Sequence, residues 1–138
     1  MAYKKGAIDK VARKEGVWKE YDGGEFKISY LSAIDRIRMR EATYDKVKDE
    51  SSKEERLEVN EEKQVKYIAE HILKDWKGIE DYKTDEPVPY SVEAAIEELT
   101  DSEELRVFIL AVSLGEENYK RQKEDEKVEK VKKPSTGS

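Results

Sequence analysis

The sequence predicts a mostly α (α+β) fold: a small helical bundle with an N-terminal β-hairpin and charged, flexible termini. Three observations point there. Apolar residues recur at helical spacing across residues 59–76 and again across 91–114. Asp22-Gly23-Gly24 separates two short runs rich in β-formers. From Glu116 onward the chain is nearly all Lys, Glu, Asp and Gln.

The 138 residues suffice for one small domain. Charged residues make up 43% and hydrophobic ones 36%, so the core must be compact and part of the chain is expected outside it. The expected division is a basic flexible arm at 1–15, a single mainly helical domain at 16–119 and a charged C-terminal tail at 120–138. Cysteine is absent, which excludes disulfides, thiol catalysis and cysteine-based metal sites. The sequence shows no signal-peptide core and no apolar run of membrane-spanning length, so a soluble intracellular protein is expected. Net charge is −6, unevenly spread: residues 16–115 hold 15 basic and 25 acidic side chains, while the leading arm is basic. An acidic body of this kind is a poor nucleic-acid binder and suits a partner with basic segments.

In the leading arm, Ile8, Val11 and Ala12 give only a weak helical stripe, so disorder and helix formation on docking both remain open. Residues 17–31 read as a hairpin. Asp22-Gly23-Gly24 supplies the positive φ angles of a tight turn, and Phe26, Ile28 and Tyr30 alternate with polar residues. A lone hairpin is marginal in water, so it is expected to cover one end of the helical core, with recruitment of a partner strand as the sharper alternative. Residues 32–50 read as a helix capped by Ser32, with Ile34, Ile37, Tyr44 and Val47 on its apolar side. Arg36, Arg38 and Arg40 form the arginine cluster, read as a solvated or salt-bridged face because Asp35 and Glu41 flank it. Residues 49–56 contain nothing apolar and read as a loop or frayed helix end.

Residues 59–76 give the clearest amphipathic pattern. Val65, Ile68, Ala69, Ile72, Leu73 and Trp76 form one stripe, Asn60 caps its start and Gly78 stops it. His71 lies off the stripe and reads as a surface or boundary residue. In the connector 79–90, Asp81, Asp85 and Glu86 lack the spacing and glycine of a calcium-binding hand. Pro87 and Pro89 stiffen its end, and Tyr90 is expected to close over Trp76. Ser91 caps a short helix with Val92, Ala95, Ile96 and Leu99 inward. Thr100-Asp101-Ser102-Glu103 fits a capping box opening a second helix, with Leu105, Phe108, Ile109 and Val112 inward and Leu110 and Leu114 widening the stripe. That second helix is expected to be central to the core. Pairs such as Glu126–Lys130 can extend a helix into water before Pro134.

No nucleophile–base pair, nucleophile elbow or phosphate loop is recognisable, and paired carboxylates mean little among 33 acids. No enzyme activity, cofactor or metal is expected. The series Leu73-x-x-Trp76-x-Gly78-Ile79-x-Asp81, Val88-Pro89-Tyr90-Ser91-x-Glu93-x-Ala95, Leu99 and Leu105-x-x-Phe108-Ile109 resembles the tail assembly chaperones of long-tailed bacteriophages. Val17-Trp18 and Phe26-Lys27-Ile28 are similar to the opening of those proteins, and Glu117-Asn118-Tyr119 to their closing segment. Where that family often carries a glycine in the connector, this chain has Thr84-Asp85-Glu86-Pro87.

The resemblance implies a non-enzymatic, mostly helical protein of the host bacterial cytoplasm. Its implied partner is the tape measure protein, kept soluble until tail-tube subunits polymerise around it. Self-association, and a frameshifted longer form of the same chain, are further implied partners. No membrane is involved, and nucleic acid is not an expected partner. Trp18, Tyr21, Phe26, Ile28, Tyr30, Trp76 and Tyr90 are the candidate contacts with a client or a second copy. Core packing is the competing role, favoured for Trp18, Phe26, Trp76 and Tyr90. Trp18 is the best placed for a client, being on a small hairpin with little to bury it. The rival readings are an acidic phage-type inhibitor or nucleic-acid mimic, and a generic helical adaptor.

Overall fold

The computed structural model describes residues 2–121. It is an α+β fold with two antiparallel sheets, which corrects the expected helical bundle with a single hairpin. The chain begins with helix α1 (Lys10–Glu15), capped by the Asp9 carboxylate. Strands β1 (Val17–Tyr21) and β2 (Gly24–Ile28) form the hairpin. Its turn residues Asp22 and Gly23 both have positive φ, 48° and 85°, the two-residue geometry that matches strand twist. Helix α2 (Ala33–Thr43) opens with a capping box in which Ser32 and Asp35 satisfy each other's backbone.

The departures from expectation follow. The segment read as the end of α2 is instead strand β3 (Tyr44–Lys48), and the polar loop leads into strand β4 (Glu55–Val59). Together they form a two-stranded ribbon. Ile34 and Ile37 do not face the core but are 62% and 60% exposed, while Met39 and Thr43 turn inward. Helix α3 (Glu61–Tyr67) starts at its Asn60 cap as expected. It then widens into a π-helix at Ile68–Ile72 and passes without a loop into strand β5 (Leu73–Lys77), which pairs with β2. Gly78, at φ 72°, therefore ends a strand rather than a helix.

The physical cause lies in two irregularities that together imitate a helix. A π-turn contains an extra residue, and the β2–β5 ladder shifts register between Lys27 and Ile28. That shift lets Leu73 and Trp76, three residues apart, both face inward, which is the spacing of a helical stripe. Carbonyls freed at the junction are not left bare. Ser29 donates its backbone N–H to the Ile72 carbonyl at 2.9 Å and its hydroxyl toward the His71 and Ile72 carbonyls. The Tyr90 hydroxyl donates to the Leu73 carbonyl at 2.8 Å, with the Ala69 carbonyl at 3.2 Å. Such capping allows the abrupt change of backbone.

Helices α4 (Val92–Asp101) and α5 (Glu103–Leu114) complete the core layer. Ser91 caps α4 as expected, whereas Ser102, not Thr100, caps α5. The inner face of the three-stranded sheet, through Phe26, Ile28, Leu73 and Trp76, meets Val65, Ile68, Ala69 and Ile72 and the α4–α5 residues Ala95, Leu99, Leu105, Ile109 and Val112. Each large apolar side chain buried there contributes about 1.5–3 kcal/mol. A 3-10 turn, Glu116–Tyr119, closes the described chain and buries Tyr119 completely. The Tyr119 hydroxyl donates to the Ile28 carbonyl at 2.9 Å. Beside it Ile8 bridges Lys120, and Asp9 and Arg121 exchange backbone bonds with Tyr119 and Ala7. The tail expected beyond Arg121, including the Glu126–Lys130 pair, lies outside the described residues.

Candidate partner-binding surface

The seven sequence-selected residues separate into distinct environments. Phe26, Ile28 and Trp76 are core, no more than 5% exposed. Trp76 donates its indole N–H to the Val88 carbonyl at 2.8 Å and meets Tyr90 edge-on, ring centroids 5.4 Å apart, so the pair locks the connector onto the sheet. Burial raises the Tyr90 phenol above its ordinary pKa, and the nearby Asp75 charge adds to the shift. Tyr21 is half-buried against Phe108, with centroids 4.7 Å apart. Tyr30 is half-buried between the Arg13 guanidinium and Tyr119. Only Trp18 reaches open surface, at 37% exposure on the outer face of the sheet. The Lys77 ammonium lies 4.2 Å from its ring centroid and Lys27 at 6.0 Å, so even this ring is partly occupied by cations.

A second apolar surface was not legible in the sequence. Between α2, α3 and α5 runs a groove of about 270 Å³ lined by Met39, Thr43, Tyr44, Gln64, Leu110 and Leu114, with Arg36 and Arg40 at its rim. Leu114 is 44% exposed, and Val107, two turns before it on α5, is 60% exposed. Tyr44, the first residue of β3, carries the surface onto the ribbon, where its register partner Val59 and the nearby Leu57 are also exposed. Leu110 and Leu114 carry the signal in the sequence, where a wide apolar stripe on α5 reads wholly as core.

The rim of the groove is cationic. Arg40 leans over the Tyr44 ring, 5.4 Å from its centroid, and neither Arg36 nor Arg40 forms an ion pair among the described residues. Gln64, in the groove wall, accepts a 3.4 Å bond from Arg106, a buried guanidinium whose Nε has no hydrogen-bond partner among the described residues. The arginine cluster is not one patch. Two residues turn a helix by about 200°, so Arg38 instead lines a separate cleft with Arg13, Lys14 and Lys74.

A family model described as YdaY prophage protein matches residues 23–130. The chain belongs to that family. It is therefore a phage-derived protein. No curated protein and no solved structure matches it. The matched segment includes β2, the groove, the ribbon and the Trp76–Tyr90 corner, while Trp18 and β1 precede it.

The remaining polar clusters are engaged locally. In the connector, the Asp81 carboxylate accepts from the Lys83 and Thr84 backbone N–H groups, which hold its pKa below the usual range. Among the described residues no group of three or more His, Asp or Glu side chains is arranged to hold a metal ion. No described helix is long and apolar enough to cross a membrane. His71 is exposed and its ring packs on Tyr67.

Proposed function

We propose that this phage-derived protein is a non-enzymatic tail assembly chaperone that binds the tape measure protein and keeps it soluble in the host cytoplasm. The carrying observation is the open apolar groove between α2 and α5, whose rim arginines Arg36 and Arg40 form no ion pair among the described residues. A long helical client presents apolar residues at i, i+3, i+4 and i+7, the pattern that such a groove accepts. Acidic residues flanking that stripe complement Arg36 and Arg40. The client is thus an amphipathic helix with carboxylates beside its apolar face. Prophage family membership and the resemblance of residues 17–119 to tail assembly chaperones support the same reading.

The test is co-expression with the tape measure protein of the same prophage, scored as the soluble fraction of that client. The wild-type chain should raise it. Leu114→Glu places a charge in the groove at an already exposed position, so the chain should fold normally and lose the effect. Trp18→Ala should keep it, and loss there with Leu114→Glu fully active would move the client to the hairpin. A wild-type chain with no effect on client solubility sinks the proposal.

A further inference from the structure

The β3–β4 ribbon is an anomaly in an otherwise compact fold. All five residues of β4 are exposed, and no strand among the described residues pairs with its outer edge. Two-stranded ribbons are marginal by themselves, and open edges invite a further strand. The phase of the ladder identifies what that edge offers. Asn60 donates to the Thr43 carbonyl at 2.7 Å and Asp49 to the Glu54 carbonyl at 2.9 Å, both on the ribbon's register. Alternation from these bonds makes Asp45–Glu58 and Val47–Arg56 the hydrogen-bonded pairs. The N–H and C=O groups of Glu55, Leu57 and Val59 therefore point outward from β4.

The central three side chains of this edge are complementary to themselves, with Glu55 and Val59 opposed at the ends. In Glu55-Arg56-Leu57-Glu58-Val59, a two-fold axis through Leu57 sets Leu57 against Leu57 of a second copy. It also sets Arg56 against Glu58 twice. Within one chain Arg56 already binds the Glu58 carboxylate through Nε and a terminal nitrogen, each at 2.8 Å. Two copies would form a square of four charges with alternating sign. On the opposite face the axis covers Leu57, 48% exposed, beside Val59 and Tyr44. The other outer strands lack this property. Centred on their middle residues, β1 opposes Lys19 to Lys19, β3 Lys46 to Lys46, and β5 Asp75 to Asp75, all like charges.

We propose that two copies of this chain pair antiparallel along β4 and form one continuous sheet in the order β3–β4–β4–β3. The contact is isologous, as closed two-fold dimers require. The pairing uses the β4 edge, which meets the groove at Tyr44, and it does not rest on the groove-binding role.

Sedimentation of the full chain across micromolar to millimolar concentration tests the pairing. The wild type should be dimeric at the upper end. Arg56→Glu and Glu58→Arg each bring like charges together, so each chain alone should dimerise at least tenfold more weakly. Mixed in equal amounts, the two variants should recover heterodimers, because each supplies the charge that the other lacks. Amide exchange on the wild type gives a measure free of substitutions: protection at Glu55, Leu57 and Val59 should rise with concentration. A wild type that stays monomeric overturns the proposal. So does a dimer indifferent to both substitutions, a mixture no tighter than either variant alone, or exchange at those three amides independent of concentration.

Discussion

Tyr119→Phe isolates a single hydrogen bond at the centre of the fold. The substitution keeps the ring, and with it the contact to Tyr30, but removes the hydroxyl that donates to the Ile28 carbonyl at 2.9 Å. Both residues are buried, at 1% and 0% exposure, so no water replaces the lost donor without a rearrangement. A buried carbonyl deprived of its partner costs about 1–3 kcal/mol. For a domain of this size, a loss near the middle of that range lowers Tm by roughly 4–8 °C. The phenol adds a pH signature. Burial, with a smaller contribution from Tyr30, pushes the Tyr119 pKa well above the ordinary tyrosine value. The folded state therefore keeps a proton that the unfolded chain releases from about pH 10 upward. The stabilisation is complete below that pH and falls as pH rises toward the folded pKa, at up to ~1.4 kcal/mol per unit. Tyr67 and Tyr90 are shifted in the same direction, so the variant retains part of the slope. Urea unfolding followed by circular dichroism at pH 7 and across pH 9.5–11.5 measures both effects. A variant as stable as the wild type at pH 7, with an unchanged alkaline slope, refutes the reasoning.

Two further predictions concern backbone strain and buried charge. Gly16→Ala places a Cβ 3.0 Å from the Ile28 backbone at φ 101° and should cost at least ~2 kcal/mol. Gly23→Ala has nothing within 4 Å and should cost only ~1 kcal/mol from its positive φ, so equal denaturant midpoints for the two variants would contradict this account. Arg106→Met removes a buried guanidinium whose one side-chain partner among the described residues is Gln64, and it should raise stability by about 1–3 kcal/mol. A lower Tm would mean that Arg106 is better compensated than its hydrogen bonds indicate.

Features governed by local chemistry were readable from the sequence. Asp22-Gly23 marked the hairpin turn, Ser32, Asn60 and Ser91 marked helix starts, and the Trp76–Tyr90 contact followed from the proline-stiffened connector. Features set by tertiary pairing were not. β5 hid behind a helical spacing produced by a π-turn followed by a register shift. β3 and β4 escaped because an exposed ribbon gains little from alternating apolar residues, and only Leu57 and Val59 hint at the period. Tyr119 lay among charged neighbours, and only the fold reveals that its ring completes the core. Of the seven candidate contact residues, Trp18 alone has the accessibility that a partner needs. The groove was missed because surface and core residues share one α5 stripe.

The Tyr119–Ile28 bond also ties distant parts of the chain together. β2 lies near the start of the described chain, and its last carbonyl receives this donor from a residue 91 positions later. The Asp9 backbone N–H likewise finds its partner in the Tyr119 carbonyl. Loop-closure entropy grows only slowly with length, by about 0.6 kcal/mol per doubling, so a span this long is tolerated. The Glu116–Tyr119 turn therefore acts as a clasp: cutting it away would strip partners from a strand end and a helix cap at the opposite end of the described sequence.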